Sequence, residues 1–163
     1  MTAEMLAVSG LPKGSLYHYF PGGKSELAKA ATLWAGAALE EVVNDAFADA
    51  ADFRKGAIRT CRAIIGLAVQ PDRVLACPVM SVLQAVSDEP DLRRVAQPVI
   101  SRRSACLAGH ADRLGVNDPH GAGEHLLMLL QGAWILALAE QDGSPLERLA
   151  KRLAAGEGPW LFP

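Results

Sequence analysis

Fourteen consecutive residues, Leu126-Leu127-Met128-Leu129-Leu130-Gln131-Gly132-Ala133-Trp134-Ile135-Leu136-Ala137-Leu138-Ala139, leave a helix no polar side. A surface helix needs a polar face, so this run must be covered on two sides. A bilayer is one cover, but a span takes about 20 apolar residues, and this run is shorter and holds a glutamine. The other cover is protein: the chain's own core on one side and a second copy on the other. Gly132 and Ala133 would allow close helix approach there. Leu146, Leu149 and Leu153 form a second stripe on the last helix, which could complete a four-helix interface about a two-fold axis. The expected interface residues are Leu127, Leu130, Trp134, Leu146, Leu149 and Leu153. A central helix wholly internal to a monomer is the reading left open.

The rest of the chain predicts helices and little strand. Lys24 to about Ala50 predicts one long helix with Leu27, Ala31, Trp34 and Ala38 on its inner stripe. Asp52 is placed to cap the next, where Phe53, Ala57, Cys61, Ile64, Ile65 and Ala68 keep the helical period. Gln70-Pro71-Asp72 ends it. Pro78 to Val86 predicts a short helix. In the segment from Asp88 to Gly115, Leu92, Val95, Val99, Leu107, His110 and Leu114 are expected inside. Arg93, Arg94, Arg102, Arg103 and Arg113 are expected outside. Pro98 is expected to kink or split that helix, because it removes an internal hydrogen bond. Asn117 or Asp118 caps the next helix, and Pro145 to Ala155 is the last.

Near the start, Gly10-Leu11-Pro12-Lys13-Gly14-Ser15-Leu16-Tyr17-His18-Tyr19-Phe20-Pro21-Gly22-Gly23-Lys24 spells turn, short helix, stop, long helix. Gly10 suits a left-handed helix end and Pro12 a helix start. Leu16 and Phe20 share a face that would point at Met5, Val8 and Leu11. Ser15, Tyr17 and His18 are then left as exposed donors. Lys24 heads the next helix, where the dipole disfavours an ammonium, which suggests a nearby anion such as a phosphate. Donors gathered on a short helix and its flanks suit a helix-turn-helix reader of a phosphate backbone and groove. A half-buried aromatic cluster is the alternative.

Gly-Leu-Pro-Lys-Gly-Ser-Leu-Tyr-His-Tyr-Phe, followed closely by Lys-Ser-Glu-Leu, makes residues 2–27 resemble the DNA-binding end of the tetracycline-repressor (TetR) family. The ending Phe-Pro-Gly-Gly-Lys and, further on, Cys77-Pro78-Val79 are similar to a subgroup related to the multidrug-responsive repressors LmrA and YxaF. The resemblance implies an all-α fold, with a helix-turn-helix head on a helical ligand-binding and dimerisation body. The expected division is 1–45 for the head with its connecting helix and 46–163 for the body. In two respects the chain departs from the pattern. It starts at what would be the family's second helix, so the head is expected to be incomplete. Leu6 stands where the family has a small alanine.

The resemblance also implies a homodimeric repressor. It would bind double-stranded operator DNA and release it when a small hydrophobic effector binds. Lys13, Ser15, Tyr17, His18 and Lys24 are the candidate DNA contacts. Phe53, Met80, Leu83, Met128 and Trp134 are candidate effector-pocket residues. The alternative is an effector-binding helical dimer that has lost DNA binding through absence of the first helix.

Composition narrows the rest. A net charge of -2 over 163 residues rules out a histone-like or basic-tail binder, so recognition must come from local donors. Cys61, Cys77 and Cys106 are odd in number and lack zinc or disulfide spacing, which fits small apolar residues in a reducing, cytoplasmic setting. No secretory leader pattern opens the sequence. His120 and His125 are five apart and point away from each other on a helix, so they are not a zinc pair. No nucleophile elbow, phosphate loop or dinucleotide fingerprint appears, so neither an enzyme nor a bound cofactor is expected.

Overall fold

A computed structural model of the chain describes residues 18–85 and 90–156. Among these residues the architecture is six helices and no strand, so the fold is all-α. They are α1 (Gly23–Phe47), α2 (Phe53–Ala68), α3 (Pro78–Ala85), α4 (Pro90–Arg113), α5 (Pro119–Glu140) and α6 (Ser144–Ala155).

Each boundary comes from local chemistry. The Glu26 carboxylate accepts from the Gly22 amide at 2.7 Å, satisfying a donor at the head of α1. Asp52 caps α2 by accepting from Lys55 N at 2.8 Å, and Asp118 caps α5 by accepting from Gly121 N at 2.9 Å. Both α5 and α6 carry a proline in the first turn. Gln141 and Gly156 end these helices in the left-handed conformation. Pro98 lies inside a continuous α4 rather than splitting it. Pro98 and Arg94 are both exposed, so the carbonyl freed by the missing amide faces solvent.

Helix α4 runs between α1 and α5, while α2 and α6 close the other side of the bundle. The core centres on Phe47, Ile64, Leu107, Leu126, Leu130, Leu146 and Leu153. The stripe expected on α2 is buried in full, apart from a half-buried Ile65.

Two expectations are corrected. Trp34, expected on the inner stripe of α1, is 76% exposed; Thr32, Ala35, Gly36, Leu39 and Val43 face inward instead. The reason is the distance between helices. A Cβ at Gly36 would lie 2.4 Å from Val99 Cγ1, so this face admits only small residues. Arg103, expected outside, is 2% exposed.

Helix α5 is long and apolar enough to cross a membrane by length and composition alone. Here it is the core helix of the bundle, with Leu126, Leu130, Trp134 and Ala137 enclosed. Its close approach to α4 is made at Gly123, where a Cβ would lie 2.6 Å from Ala108 N and 2.9 Å from Ser104 O. Gly132 meets nothing within 4 Å in the single chain and lies on the outward side of α5.

Candidate effector cavity and DNA-binding head

Small side chains on one face of α4 leave room beside α5. Ser101, Ser104, Ala105 and Ala108 recur at helical spacing and cannot fill the gap to His120, Glu124, Leu127, Met128 and Gln131 on α5. Met80 of α3 and Ile100 complete an open-sided cavity of about 610 Å³. That size suits a drug-sized molecule, and the mixture of apolar wall and few polar groups is that of a ligand site. Its polar groups are spread along it, with His120 and Glu124 in the first turns of α5 and Gln131 two turns further on.

Of the five pocket residues expected from sequence, Met80 and Met128 line this cavity. The other three do not. Phe53 is core, its ring 5.2 Å from that of Phe47. Leu83 is half-buried on α3 outside the wall. Trp134 is buried and donates from Nε1 to Leu75 O at 2.7 Å, and it borders a small space beside Cys77. Sequence reasoning misses the α4 face because attention to large apolar residues passes over serine and alanine. The signal was their 101, 104, 105, 108 spacing.

The opposite side of α4 is fastened to α1. Arg102 donates to Glu40 at 2.8 Å, and Arg113 to the Phe47 carbonyl at 2.8 Å. The His110 ring stacks on Phe47 at 4.7 Å, and its Nε2 meets Asn44 Oδ1 at 2.9 Å. Asn44 Oδ1 also accepts from Cys106 Sγ, which makes it the acceptor and His110 Nε2 the protonated nitrogen. Nδ1 is then free to accept from Arg113. Burial, and after it the Arg113 charge, hold the His110 pKa below its usual 6.5.

The unfolded chain therefore takes up this proton before the folded one does. The stabilisation is complete above the unfolded pKa near 6.5 and is lost as pH falls through it towards the folded value. Melting temperature is expected to drop between about pH 7.5 and 5.5, and His110→Gln to flatten part of that drop. Equal slopes in the two proteins would refute the assignment. Burial also pushes the Cys61 thiol up to about 11, and it donates to the Leu146 carbonyl at 3.2 Å.

At the other end of α1, His18 is exposed with its ring edge-on to Tyr19, centroids 5.1 Å apart. Lys24 is exposed in the first turn of α1. Lys13, Ser15 and Tyr17 lie outside the described residues.

The six interface candidates divide as well. Leu127, Leu130, Trp134, Leu146 and Leu153 are enclosed by the chain's own core, and Leu149 is half-buried. The outward apolar face of α5 is instead Met128, Gly132, Ile135 and Leu136. Beside it lies an open groove of about 310 Å³ against Pro145, Arg148, Leu149 and Arg152 of α6.

No family model matches the chain. It is 30% identical over 164 residues to the uncharacterized HTH-type transcriptional regulator Rv0196 of Mycobacterium tuberculosis, spanning 93% of this chain and 80% of that protein. It is 26% identical to the HTH-type regulator YxaF of Bacillus subtilis, over 92% of this chain and 80% of the relative. Among solved structures it superposes on a TetR transcriptional regulator from Legionella pneumophila with a TM-score of 0.80 at 16% identity, over 97% of this chain and 86% of the other. The reduced form of Escherichia coli NemR superposes at 0.76 and 20% identity, over 94% and 83%. The chain belongs to the TetR family of helix-turn-helix transcriptional regulators. The kinship with YxaF implied by Phe20-Pro21-Gly22-Gly23-Lys24 and Cys77-Pro78-Val79 is thereby found. A TetR-family regulator is not an enzyme.

Proposed function

We propose that the protein is a dimeric repressor that releases its operator when a small hydrophobic effector enters the cavity between α3, α4 and α5. The observation that carries this reading is the position of α4. One face lines the cavity and the other is bonded to α1. A ligand that pushes on Ile100 or Ser104 also pushes on Glu40 and Asn44 of α1. That helix leads to His18 and Lys24.

In this reading residues 1–45 form the head with its connecting helix, and 46–163 bind effector and partner. The protein acts in the cytoplasm. Two heads sit in successive major grooves about 34–36 Å apart. Lys13, Ser15, Tyr17, His18 and Lys24 contact DNA, mostly at phosphates, which set register. A tilt of α1 changes the spacing of the heads. Release requires the effector to favour the non-binding spacing, by a coupling commonly of about 1–3 kcal/mol.

The test is fluorescence anisotropy of the full chain on duplex from its own upstream region, titrated with salt. Saturable binding tighter than to random duplex, and falling steeply with salt, is expected. Failure to bind, by protein shown to be folded and dimeric, would leave an effector-binding dimer without DNA-binding activity.

A further inference from the structure

A permanently charged guanidinium stands behind Cys77, which borders the small space beside the cavity, without a counter-ion among the described residues. Arg103 is 2% exposed, and none of the ion pairs among those residues includes it. Its Nη1 is 3.9 Å from Cys77 Sγ, and its Nε has no hydrogen-bond partner there. Gln131 Nε2 also lies 3.9 Å from that sulfur, while Gln131 Oε1 is buried without a partner and, as an acceptor, calls for a donor rather than an anion. Sulfur is a weak acceptor, so the N–H donors of Arg103 and Gln131 are left short of a good acceptor. A buried charge in this state is costly, and a compact anion would relieve it.

Such an anion has a way in as far as Cys77, since Arg103 itself lines neither space. Gln131 and Met80 line both the main cavity and the small space around Cys77. Methionine is unbranched and adapts its shape readily. Glu124, the acid on the cavity wall, lies two turns before Gln131 on α5, about 10 Å along the helix, and disfavours an anion at that end.

We infer that the effector is an amphipathic carboxylate. Its apolar chain lies along Ile100, Leu127 and Met128, and its carboxylate sits at Gln131 and Arg103 with Met80 turned aside. This inference rests on the effector-cavity reading and adds the chemical class of the ligand.

The probes are decanoate, methyl decanoate and decyltrimethylammonium, added to the full chain and followed by calorimetry and thermal shift. Decanoate is expected to bind about tenfold or more tightly than the other two, the ratio a charge-assisted pair supplies. Arg103→Met should abolish that ratio while leaving methyl decanoate binding unchanged. Gln131→Leu, at a half-buried position, gives a second variant and should narrow the ratio. Equal binding of all three probes by the wild type would overturn the role of Arg103 and leave the cavity standing. So would a ratio that survives Arg103→Met. Binding of none would overturn the cavity reading as well.

Discussion

Replacing Gly123 by valine is expected to destabilise the protein by about 3 kcal/mol, with alanine costing somewhat less. The basis is that the obstacle is backbone. A Cβ there would meet Ala108 N at 2.6 Å and Ser104 O at 2.9 Å, and neither can swing aside as a side chain could. Relief requires α4 and α5 to separate along the contact that holds the bundle together. The same separation would distort the cavity, since Ser104, Ala108, Leu127 and Met128 flank that crossing. Urea unfolding at fixed protein concentration reads the loss, with a fall in melting temperature of roughly 6–12 °C for a chain of this size. Gly109→Ala on α4 is the control: a Cβ there meets nothing within 4 Å. It should gain helix propensity and stabilise by about 0.5–1 kcal/mol. Two variants moving in the same direction would refute the close-packing argument.

Leu136→Glu is expected to leave the monomer folded and to abolish the dimer. Leu136 is 53% exposed, so the carboxylate meets water rather than core in the isolated chain. In an isologous interface built on α5 and α6, the substitution puts a charge on both sides of the two-fold contact. Sedimentation should show monomer where the wild type is dimeric. Operator affinity should then fall about 10²–10⁴-fold, because a single head loses the effective concentration supplied by its partner. A dimer unaffected by this change would move the interface off α5. The groove along Gly132, Ala133 and Leu149 supports its placement there.

Much of the fold was legible because helix caps and periods are local. Asp52, a cap at Asn117 or Asp118, and the α2 stripe from Phe53 to Ala68 needed only neighbours in sequence, and the structure places the second cap at Asp118. The family was legible for a related reason. The segment from Gly10 to Lys24 carries the family's residue types at fixed spacing, so its pattern is held in a few residues.

The candidate site was legible only in part. The run from Leu126 to Ala139 showed that α5 must be covered on two sides, but not which residues meet which cover. Leu127, Leu130 and Trp134 turn inward, while Met128 and Leu136 turn outward, and apolar residue type alone cannot separate them. Met80 and Met128 stand out as cavity residues by character. Ser101, Ser104 and Ala108 do not, because a cavity is made by what is small, and small residues stand out only once the facing helix is known.

Residue order is enough to settle the all-helical chain, its caps and its kinship with helix-turn-helix regulators. These depend on short-range hydrogen bonding and spacing, which every copy of the sequence repeats. Packing was needed to show that Trp34 faces water, that Arg103 is buried beside Cys77, and that α4 joins a cavity to α1. Those outcomes depend on how closely two helices approach. That distance is set by Gly36 against Val99, far apart along the chain, and by Gly123 against Ala108 across the α4–α5 turn, and only the folded arrangement makes partners of them.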